Sequence, residues 1–433
     1  MSYSPQLSYF LDRLQGYSTN IFKLEPQGSN TARANNIIRI TLPANSLVNL
    51  RSFALHFEAA IDAANDIGRL PNKIDSLVER VEVSVGGVQV SAGNNYYNVL
   101  CHAVQALTGD TTDTALGHPE VVIGASYQTG LPMAANETVA SYCIDSWKGF
   151  LGTCEPRILD LSLLPEMVVS IYLADNAVCI DADAATPDGI VANANAPAPR
   201  YVLTNIHATI ETIGLADGTY DAMVNQMMQQ VGFLEIPFKQ YVAFHDTPAG
   251  GNMRFSVATQ SLDRVWIVPR ANNFQNPQGA VLVTGFKNNA NVNAFDQIMG
   301  YNKRKHISHY FNFPANGNNN ARYQLQLNGA MIPQFQASFE QMHQISKNSV
   351  PLKKVQKEYG LATQKANYGV QCVRLNLEDS EFSRKISGLD TRGISLNGMF
   401  IQSGHTHGRP VTLFCETTST LRIGSGLQVE VLA

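Results

Sequence analysis

His405 and His407 are the two residues in this sequence that are best spaced to bind a transition metal, with one threonine between them. Residues two apart in an extended chain point to the same side, so the two imidazoles could hold zinc or copper. No carboxylate or cysteine lies within a few residues to complete a ligand set. We therefore interpret the pair as part of an exposed loop or strand end, and we expect no metal ion.

Three aspartates, Asp181, Asp183 and Asp188, lie in a short stretch and could supply oxygen ligands to calcium. The glycine and the final glutamate that complete an EF-hand loop are not at the required positions. Serines are numerous, but the chain has neither a Gly-x-Ser-x-Gly turn nor a Gly-x-x-x-x-Gly-Lys phosphate loop. The sequence thus predicts no catalytic residue, no cofactor-binding residue and no metal site, and we expect no enzyme.

The six cysteines form no Cys-x-x-Cys pair and have no regular spacing, which argues against a zinc site and against a disulfide scaffold. We expect buried, reduced thiols. The six residues are Cys101, Cys143, Cys154, Cys179, Cys372 and Cys415.

One basic cluster, Lys303 to His306 with His309 nearby, precedes the second hairpin described below, and further lysines follow that hairpin. These side chains could face anionic lipid headgroups or acidic patches of a neighbouring protein. The alternative, which we favour, is a solvated loop that balances nearby acidic residues. The later lysines are Lys347, Lys353, Lys354, Lys357 and Lys365.

The composition favours two weakly charged domains. A chain of 433 residues suits two domains of roughly 200 residues each, a size that is usual for all-β domains. Charged residues make up only 15%, and the formal net charge is −4, so no basic face for broad or sequence-specific contact with nucleic acid is expected. The sequence has no apolar run long enough to span a membrane and no secretion signal, so we expect a soluble protein made in a reducing compartment.

Two hairpins with the same pattern organise the chain. In the first, from Val78 to Val90, valines alternate with polar residues before Gly86-Gly87, where both residues can adopt positive φ in a tight turn. The alternation predicts one buried face. The turn predicts that Val85 pairs with Val88, Ser84 with Gln89, and Val83 with Val90.

The second hairpin, from Ala321 to Ile332, turns at Asn328-Gly329 and predicts the pairs Leu327 with Ala330 and Leu325 with Ile332. Apolar residues at helical spacing follow each hairpin. We predict a helix over Tyr96 to Leu107 that ends at Gly109, and a second helix that starts near Pro333. The second helix would present Phe335, Phe339 and Met342 on one face.

The remaining patterns predict a mostly β chain in three parts. Residues 1–35 form an N-terminal arm with an amphipathic helix over Leu7 to Leu14, which either docks on its own domain or reaches a neighbouring subunit, a minor protein or a lipid surface. Residues 36–215 form the first β-domain and residues 216–433 the second, with a linker helix at about 217–231. Alternating β-α-β order is absent, which argues against Rossmann and TIM-barrel folds.

The predicted strands are short and separated by long loops. Residues 110–157 are interpreted as a long excursion between strands that carries isolated aromatic residues, and residues 174–200 as an exposed loop. The strands are expected at Ile37 to Thr41, Leu47 to Phe57, Tyr201 to Ile213, Phe233 to Phe244, Met253 to Val268, Val370 to Leu377, Gly398 to Ile401, Val411 to Cys415 and Leu427 to Leu432. Leu159 to Leu173 also has strand character, with Pro165 limiting the extent of any one strand there.

Two consecutive β-rich units of this size resemble the double jelly-roll major capsid proteins of tailless icosahedral double-stranded DNA viruses. Local sequence strengthens the resemblance. The run from Pro71 to Val83, followed by Asn94 to Asn98, is similar to a first-domain pattern of polinton-like virus and virophage capsid proteins. The block from Ser387 to Ile394 is similar to a recurring block of their second domain.

The resemblance implies two consecutive eight-stranded jelly-roll β-sandwiches with short helices and long loops, in a homotrimer of pseudo-sixfold outline that tiles an icosahedral shell. Neighbouring capsomers, penton and minor capsid proteins and an internal lipid membrane would then be its partners. The protein would be located in the virion and assembled inside the host cell. The alternative is a carbohydrate-binding or carbohydrate-cleaving β-sandwich, although two tryptophans offer few aromatic platforms.

Overall fold

Alternating apolar and polar residues produce strands along most of the chain. The computed structural model describes residues 17–61, 68–71, 74–91, 95–108, 140–181, 200–215, 224, 226, 229–247, 251–270, 274, 309–311, 313, 321–350, 369–376, 388–392, 398–403, 410–424, 426 and 428–432. The predicted helix over Leu7 to Leu14 lies outside these residues. The described residues of the predicted linker helix, 224, 226 and 229–231, are helical.

The first unit contains twelve described strands, two α-helices and three short 3-10 helices. The 3-10 helices are Ile74–Leu77, Leu161–Leu163 and Asn176–Val178. The α-helices are α1 (Tyr97–Thr108) and α2 (Phe150–Thr153). The strands are β1 (Tyr17–Leu24), β2 (Ala32–Arg33), β3 (Ile37–Thr41), β4 (Leu47–Ile61), β5 (Gly68–Arg69), β6 (Val78–Val85), β7 (Val88–Ser91), β8 (Ala140–Ile144), β9 (Ile158–Asp160), β10 (Met167–Leu173), β11 (Ile180–Asp181) and β12 (Tyr201–Leu215).

The second unit contains nine described strands, helix α3 (Phe339–Ser349) and a short 3-10 helix, His309–Phe311. The strands are β13 (Phe233–Asp246), β14 (Asn252–Phe255), β15 (Leu262–Pro269), β16 (Arg322–Leu327), β17 (Ala330–Ala337), β18 (Gln371–Arg374), β19 (Gly398–Ser403), β20 (Val411–Gly424) and β21 (Gln428–Leu432).

Each unit is a sandwich of two antiparallel sheets. In the first unit, one sheet has the order β1-β12-β4-β8, to which β2 and β9 add short pairings, and the other has the order β3-β10-β6-β7. In the second unit the orders are β13-β20-β15-β18, with β21 added beside β20, and β14-β19-β16-β17. A separate two-stranded ribbon joins β5 to β11.

The two units have the same connectivity. When the eight principal strands of each unit are numbered along the chain, one sheet reads 1-8-3-6 and the other 2-7-4-5, in both units. This double Greek-key order is that of a jelly roll. The predicted fold class, two consecutive eight-stranded jelly rolls, is therefore confirmed.

The first hairpin has the predicted turn and, at its tip, the predicted pairs. Gly86 and Gly87 have φ values of 55° and 83°, and Val85 pairs with Val88 and Ser84 with Gln89. The third predicted pair is wrong, because the register shifts after Ser84 and Val83 pairs with Ser91. The valines at 81, 83 and 85 are buried, as the alternation predicted.

The second hairpin also has the predicted pairs, Leu327 with Ala330 and Leu325 with Ile332. The predicted start of the second helix, near Pro333, is wrong. Pro333 lies within β17, at the edge of its sheet, where a residue without an N–H is tolerated. Helix α3 begins after Ser338, whose hydroxyl accepts a hydrogen bond from the Gln341 N–H in a capping box.

Several predicted strand limits differ from the structure. The stretch Met253 to Val268 contains two strands, β14 and β15, because they belong to opposite sheets of the sandwich. The stretch Leu159 to Leu173 contains β9, a 3-10 helix and β10, and Pro165, which was expected to limit any one strand, lies between the 3-10 helix and β10. The strand predicted to end at Cys415 continues to Gly424, since Glu416 to Thr420 are polar and yet buried. Because these residues are polar, the sequence pattern did not predict that the strand continues through them.

The two cores are unequal. The smaller hydrophobic cluster lies between the sheets of the second unit. The larger cluster fills the first unit and continues without interruption into the second, where it includes Phe238, Trp266 and Phe414. The sheet of the second unit that contains β15 and β20 is therefore buried on both faces.

Candidate functional site

The first candidate surface is the internal contact between the two units. Phe150, on α2, packs edge to face on Phe238, on β13, with ring centroids 5.0 Å apart. The outer edge of β13 is also occupied, because the Glu155 N–H donates to the Pro237 carbonyl at 3.0 Å and the Lys239 N–H donates to the Thr153 hydroxyl at 2.9 Å. An edge strand of the second unit is thus covered by the first.

A buried arginine joins the units on another side. Arg270, directly after β15, has no exposed surface, and its Nη2 donates to the Tyr310 carbonyl at 2.9 Å. Its guanidinium carbon lies 3.8 Å from the ring centroid of Phe274, 4.8 Å from that of Tyr310 and 5.4 Å from that of Tyr96. Tyr96 belongs to the first unit. These cation–π contacts stabilise a charge that is removed from water.

Glu79, on β6, is the acidic neighbour of this cluster. Burial raises the pKa of its carboxyl, and this effect exceeds the opposing effects of the Tyr96 N–H, of Arg270 and of Asn98. The Tyr96 N–H donates to Oε1 at 3.0 Å, and Asn98 Nδ2 donates to Oε2 at 3.3 Å. Burial also lowers the pKa of the Arg270 guanidinium. The junction between the two units therefore buries one acidic and one basic side chain in a largely apolar environment.

The two runs that carried the sequence resemblance, Pro71 to Val83 and Asn94 to Asn98, contribute to this junction. Asn98 Nδ2 donates to the Ser76 carbonyl at 3.1 Å, and the Ser76 hydroxyl lies 2.5 Å from Nε2 of His102. The His102 ring stacks on Phe311 of the second unit, with centroids 3.9 Å apart and an interplanar angle of 10°. The polar residues of these runs thus hold an aromatic contact between units.

The buried sheet of the second unit contains a charged pair. Nη1 of Arg264 donates to Oε1 of Glu416 at 2.9 Å, and the Trp266 indole N–H donates to Oε2 at 2.9 Å. Nε of Arg264 donates to the Ser349 carbonyl at 3.0 Å. A buried pair needs such additional hydrogen bonds to offset the cost of removing both charges from water.

A second charged group lies beside the junction. Nζ of Lys239 is 2.6 Å from Oδ2 of Asp263, which also accepts from the Thr418 hydroxyl at 2.6 Å. The Ser261 hydroxyl donates to the other oxygen, Oδ1, at 2.7 Å. Lys239 therefore links the covered edge of β13 to the interior of its own unit.

The outer edge of β1 contrasts with that of β13. The six side chains from Ser18 to Lys23 are all exposed, and Ile21 and Phe22 retain 71% and 46% of their surface. The Ile21 N–H donates to the side chain of the preceding residue, Asn20, at 2.9 Å. Among the described residues, β12 is the only strand that pairs with β1 along its length. A long edge strand with exposed apolar residues is a template for pairing.

A groove with a volume of about 630 Å³ lies beside β1. Serine, threonine and asparagine side chains and the carboxylate of Asp160 share its wall with apolar residues such as Phe22 and Ile213. Oδ1 of Asp160 accepts from the N–H and the hydroxyl of Ser162 at 2.9 and 2.6 Å, so this carboxylate serves as a helix cap.

A second exposed edge belongs to β17. Met331 and Phe335 retain 46% and 53% of their surface, and β17 pairs only with β16 among the described strands. Pro333 supplies no N–H to this edge, which limits strand addition there. The β17 edge exposes apolar side chains, but its backbone is less suited than that of β1 to pairing with another strand.

The outward face of the first unit carries two histidines. His56 and His207 pair across β4 and β12, and their rings stack with centroids 5.1 Å apart. His56 also lies 2.9 Å from the Thr209 hydroxyl through Nε2. Burial and the charge of His207 lower the pKa of His56, while Asp145 acts in the opposite direction.

Most of the residues that the sequence analysis considered as metal ligands or as a basic cluster lie outside the described residues. This applies to His405, His407, Asp183, Asp188 and Lys303 to Lys305. Within the described ranges, no group of three or more His, Cys, Asp and Glu side chains is arranged to hold a metal ion. None of the described helices is long and apolar enough to cross a membrane.

The cysteines and tryptophans are placed by the structure. Cys143 is half-buried and the other five cysteines are buried, and all six are free thiols. Burial raises the pKa of Cys154 and of Cys415 to about 12 and that of Cys143 to about 11. Both tryptophans, Trp147 and Trp266, are buried, so neither presents an exposed platform for a sugar ring.

Sequence reasoning did not identify the junction. Phe150 was assigned to a long excursion. Arg270 was not singled out, because two of its three aromatic neighbours, Tyr96 and Tyr310, are distant in sequence. The one sequence signal of the junction was the set of polar residues in the runs Pro71 to Val83 and Asn94 to Asn98. The sequence analysis interpreted these runs only as a family resemblance.

Comparison with solved structures shows capsid chains of the same architecture. PBCV-1 VP54, fitted into a cryo-EM reconstruction of the virophage Sputnik, aligns with a TM-score of 0.60 at 14% identity, covering 96% of this chain and 97% of that chain. A chain of the PBCV-1 virus capsid aligns with a TM-score of 0.55 at 12% identity, covering 96% and 97%. The Faustovirus major capsid protein aligns with a TM-score of 0.52 at 9% identity, covering 94% and 90%.

These alignments extend over nearly the whole of each chain, so both jelly rolls and their order are shared. At such low identity the likeness concerns the fold. No protein-family model matches the sequence. No curated protein matches it either.

Proposed function

We propose that this protein is the major capsid protein of a tailless icosahedral double-stranded DNA virus, of the polinton-like virus or virophage type. Its role is structural and involves no catalysis: it self-assembles into pseudo-hexagonal homotrimeric capsomers that tile the shell. The observation that carries the proposal is the pair of jelly rolls with the same strand order, 1-8-3-6 and 2-7-4-5, in one chain.

The duplication supports the trimer by geometry. Three copies of a chain with two similar units supply six similar units, which suit a site with six neighbours. A closed ring of this kind needs head-to-tail contacts that repeat. The contact between Phe150 and Phe238 already joins one unit to the next inside the chain.

The rigidity of the junction supports a role in a shell. The sheet containing β15 and β20 is buried on both faces, and Arg270 is enclosed by aromatic rings from both units. Such packing keeps the two jelly rolls at a fixed angle, as interiors packed to this density resist deformation. A subunit of fixed shape can form the same contacts at every position of a lattice.

The surface supports assembly through many weak contacts. Charged residues are only 15% of the chain, and surface ion pairs contribute about 0–1 kcal/mol each. Exposed apolar residues lie on edge strands, with Ile21 on β1 and Phe335 on β17. Contacts of this kind are individually reversible, which permits correction of errors during assembly.

The proposed partners follow from this role. The protein contacts itself in the trimer, neighbouring capsomers in the lattice, and penton and minor capsid proteins at special positions, with an internal lipid membrane as a further partner. It makes no sequence-specific contact with nucleic acid. We place it in the virion, with assembly inside the host cell.

Electron microscopy of the purified full chain tests the proposal. Class averages should show particles of hexagonal outline with threefold symmetry, and shells under assembly conditions. The competing function, carbohydrate binding, is tested in parallel on a glycan array. Monomeric particles together with specific glycan binding would overturn the proposal.

A further inference from the structure

The groove beside β1 has the size of a small-molecule binding site. Its volume of about 630 Å³ lies within the range of about 300–1000 Å³ that is usual for such sites. Its wall is formed by β1, the end of β12, the turn before β4, and β9 with the 3-10 helix that follows it. Strand pairing holds these segments together, because β12 pairs with β1 and β4, and β4 pairs with β9. The groove is therefore built on the sheet and does not depend on a single loop.

The shape of the groove depends on the pattern of β1 and on one glycine of β12. Ser18, Asn20 and Phe22 alternate along β1, so the three side chains share one face of the strand. Gly214 pairs with Ser18, and a methyl group on this glycine would lie 2.8 Å from the Ser18 hydroxyl oxygen. Because Gly214 has no side chain, this part of the groove stays open.

Polar groups of the wall have hydrogen-bonding capacity that the described residues do not use. Oδ1 of Asp160 accepts two hydrogen bonds from Ser162, whereas Oδ2 accepts none from a described residue. Oδ1 of Asn20 accepts from the Ile21 N–H at 2.9 Å, and Nδ2 of Asn20 has no acceptor in the described part of the chain. The exposed amide of Asn45 also makes no side-chain hydrogen bond there. The wall thus offers both donors and acceptors to a ligand.

The charge of the wall restricts the class of ligand. The described lining residues include the carboxylate of Asp160 and no lysine, arginine or histidine, so a phosphate or sulfate group would meet a like charge with no basic side chain to balance it. The one aromatic ring is that of Phe22, which retains 46% of its surface. The face of an aromatic ring is partly negative and packs favourably against C–H groups. The wall therefore favours a neutral ligand with many hydroxyl groups and an apolar C–H face.

We propose that the groove beside β1 binds a neutral carbohydrate, either a mono- or disaccharide or the terminal sugars of a longer glycan. Phe22 supplies a platform for one face of a sugar ring. A sugar hydroxyl both donates and accepts, so it can donate to Oδ2 of Asp160 and accept from the amide of Asn20 or Asn45. This inference goes beyond the capsid function and does not depend on assembly, because the lining residues belong to one chain.

Saturation-transfer NMR on the full-length protein tests the inference. The probes are glucose, galactose, mannose and N-acetylglucosamine, together with the disaccharides lactose, maltose and chitobiose, each at millimolar concentration. At least one of these sugars should receive saturation from the protein. Absence of transfer to every sugar would overturn the inference.

Two variants locate the binding in the groove. Phe22→Ala removes the aromatic platform, and Gly214→Val fills the space beside Ser18 without removing a polar group. Both positions are exposed, and Gly214 does not have a positive φ, so both variants should keep the circular dichroism spectrum of the wild type. Each should raise the dissociation constant of the bound sugar about tenfold or more.

The matched control is Phe335→Ala, which removes an exposed phenylalanine of β17 and should leave the dissociation constant unchanged. Sugar binding that is unchanged in a folded groove variant contradicts the inference. If Gly214→Val does not fold, Phe22→Ala alone decides.

The outcomes separate this inference from the capsid function. A trimer that binds none of the sugars refutes the carbohydrate groove and leaves the capsid function intact. A protein that stays monomeric and binds a sugar through Phe22 refutes the capsid function and supports the groove.

Discussion

The Phe150 ring meets the Phe238 ring edge to face, with centroids 5.0 Å apart, and joins the two jelly rolls of the chain. Phe150 lies on a helix of only four residues, and Phe238 lies on an edge strand, so neither element is stable in isolation. β13 pairs along its length with β20 of its own unit, and the contact adds packing against the first unit. We expect the two jelly rolls to unfold together.

Truncation of this contact should destabilise the whole chain. Phe238→Ala should lower the free energy of unfolding by about 3–5 kcal/mol, because it leaves a cavity in a continuous core. The coupling between Phe150→Ala and Phe238→Ala in a double-mutant cycle should be about 0.5–1.5 kcal/mol. Urea titrations measure both values. The matched control is Phe335→Ala, an exposed residue, which should change stability by less than about 0.5 kcal/mol.

Loss of the buried ion pair between Arg264 and Glu416 should destabilise the chain far more than loss of an exposed ion pair of similar length. Glu416→Ala removes the buried carboxylate that accepts hydrogen bonds from both Arg264 and Trp266, which should cost about 3–5 kcal/mol. The control is Asp390→Ala, which removes a solvent-exposed pair with Arg392 at 2.8 Å. Its melting temperature should equal that of the wild type within error. Equal losses in both variants would contradict the assignment of the buried pair.

Acid should weaken the fold through His56. The pKa of His56 is lowered in the folded chain, mainly by burial, so the unfolded chain takes up its proton at a higher pH. The stability provided by the neutral imidazole is thus present above about pH 6.5 and is lost as the pH falls below that value.

Calorimetry at about pH 7.5 and about pH 5 should therefore show a smaller acid-induced drop in melting temperature for His56→Gln than for the wild type. Glutamine keeps a polar partner for the Thr209 hydroxyl. A drop of the same size in both proteins would show that His56 does not contribute to the pH dependence.

A charged substitution in the first hairpin should prevent folding, and should not merely weaken contacts between folded chains. Val83→Asp places a charge at a buried position on β6, which pairs with β10 on one side and with β7 on the other. We expect the variant to lose cooperative unfolding and to be insoluble. A folded Val83→Asp monomer with weakened self-association would place this hairpin at an interface instead of in the core.

Local patterns were sufficient to predict two mostly β units, because alternation and turn residues are local signals, whereas the jelly-roll strand order was implied by the family resemblance. Gly86-Gly87 and Asn328-Gly329 gave the pairs next to the turn correctly, since φ and register are set by adjacent residues. The register shift between Ser84 and Val83 was not predicted from the local pattern. Pro333 was misassigned because its role at a sheet edge is visible only in three dimensions.

The surfaces of interest were less predictable than the fold. The contacts of Phe150 with Phe238, and of Arg270 with Tyr96, join residues that are far apart in sequence, and each needs both units in place. Glu416 appeared as part of a polar stretch, yet its charge is paired inside a sheet. Burial of both faces of β20 follows from the packing of two units and not from the strand itself.

The measurement that tests the central claim most directly is the mass of the purified full-length protein in solution, by size-exclusion chromatography with light scattering. The claim that two jelly rolls per chain build a six-unit capsomer predicts a stable species of about 142 kDa, three times the 47.3 kDa chain. A species of 47.3 kDa that persists at every protein concentration would contradict it.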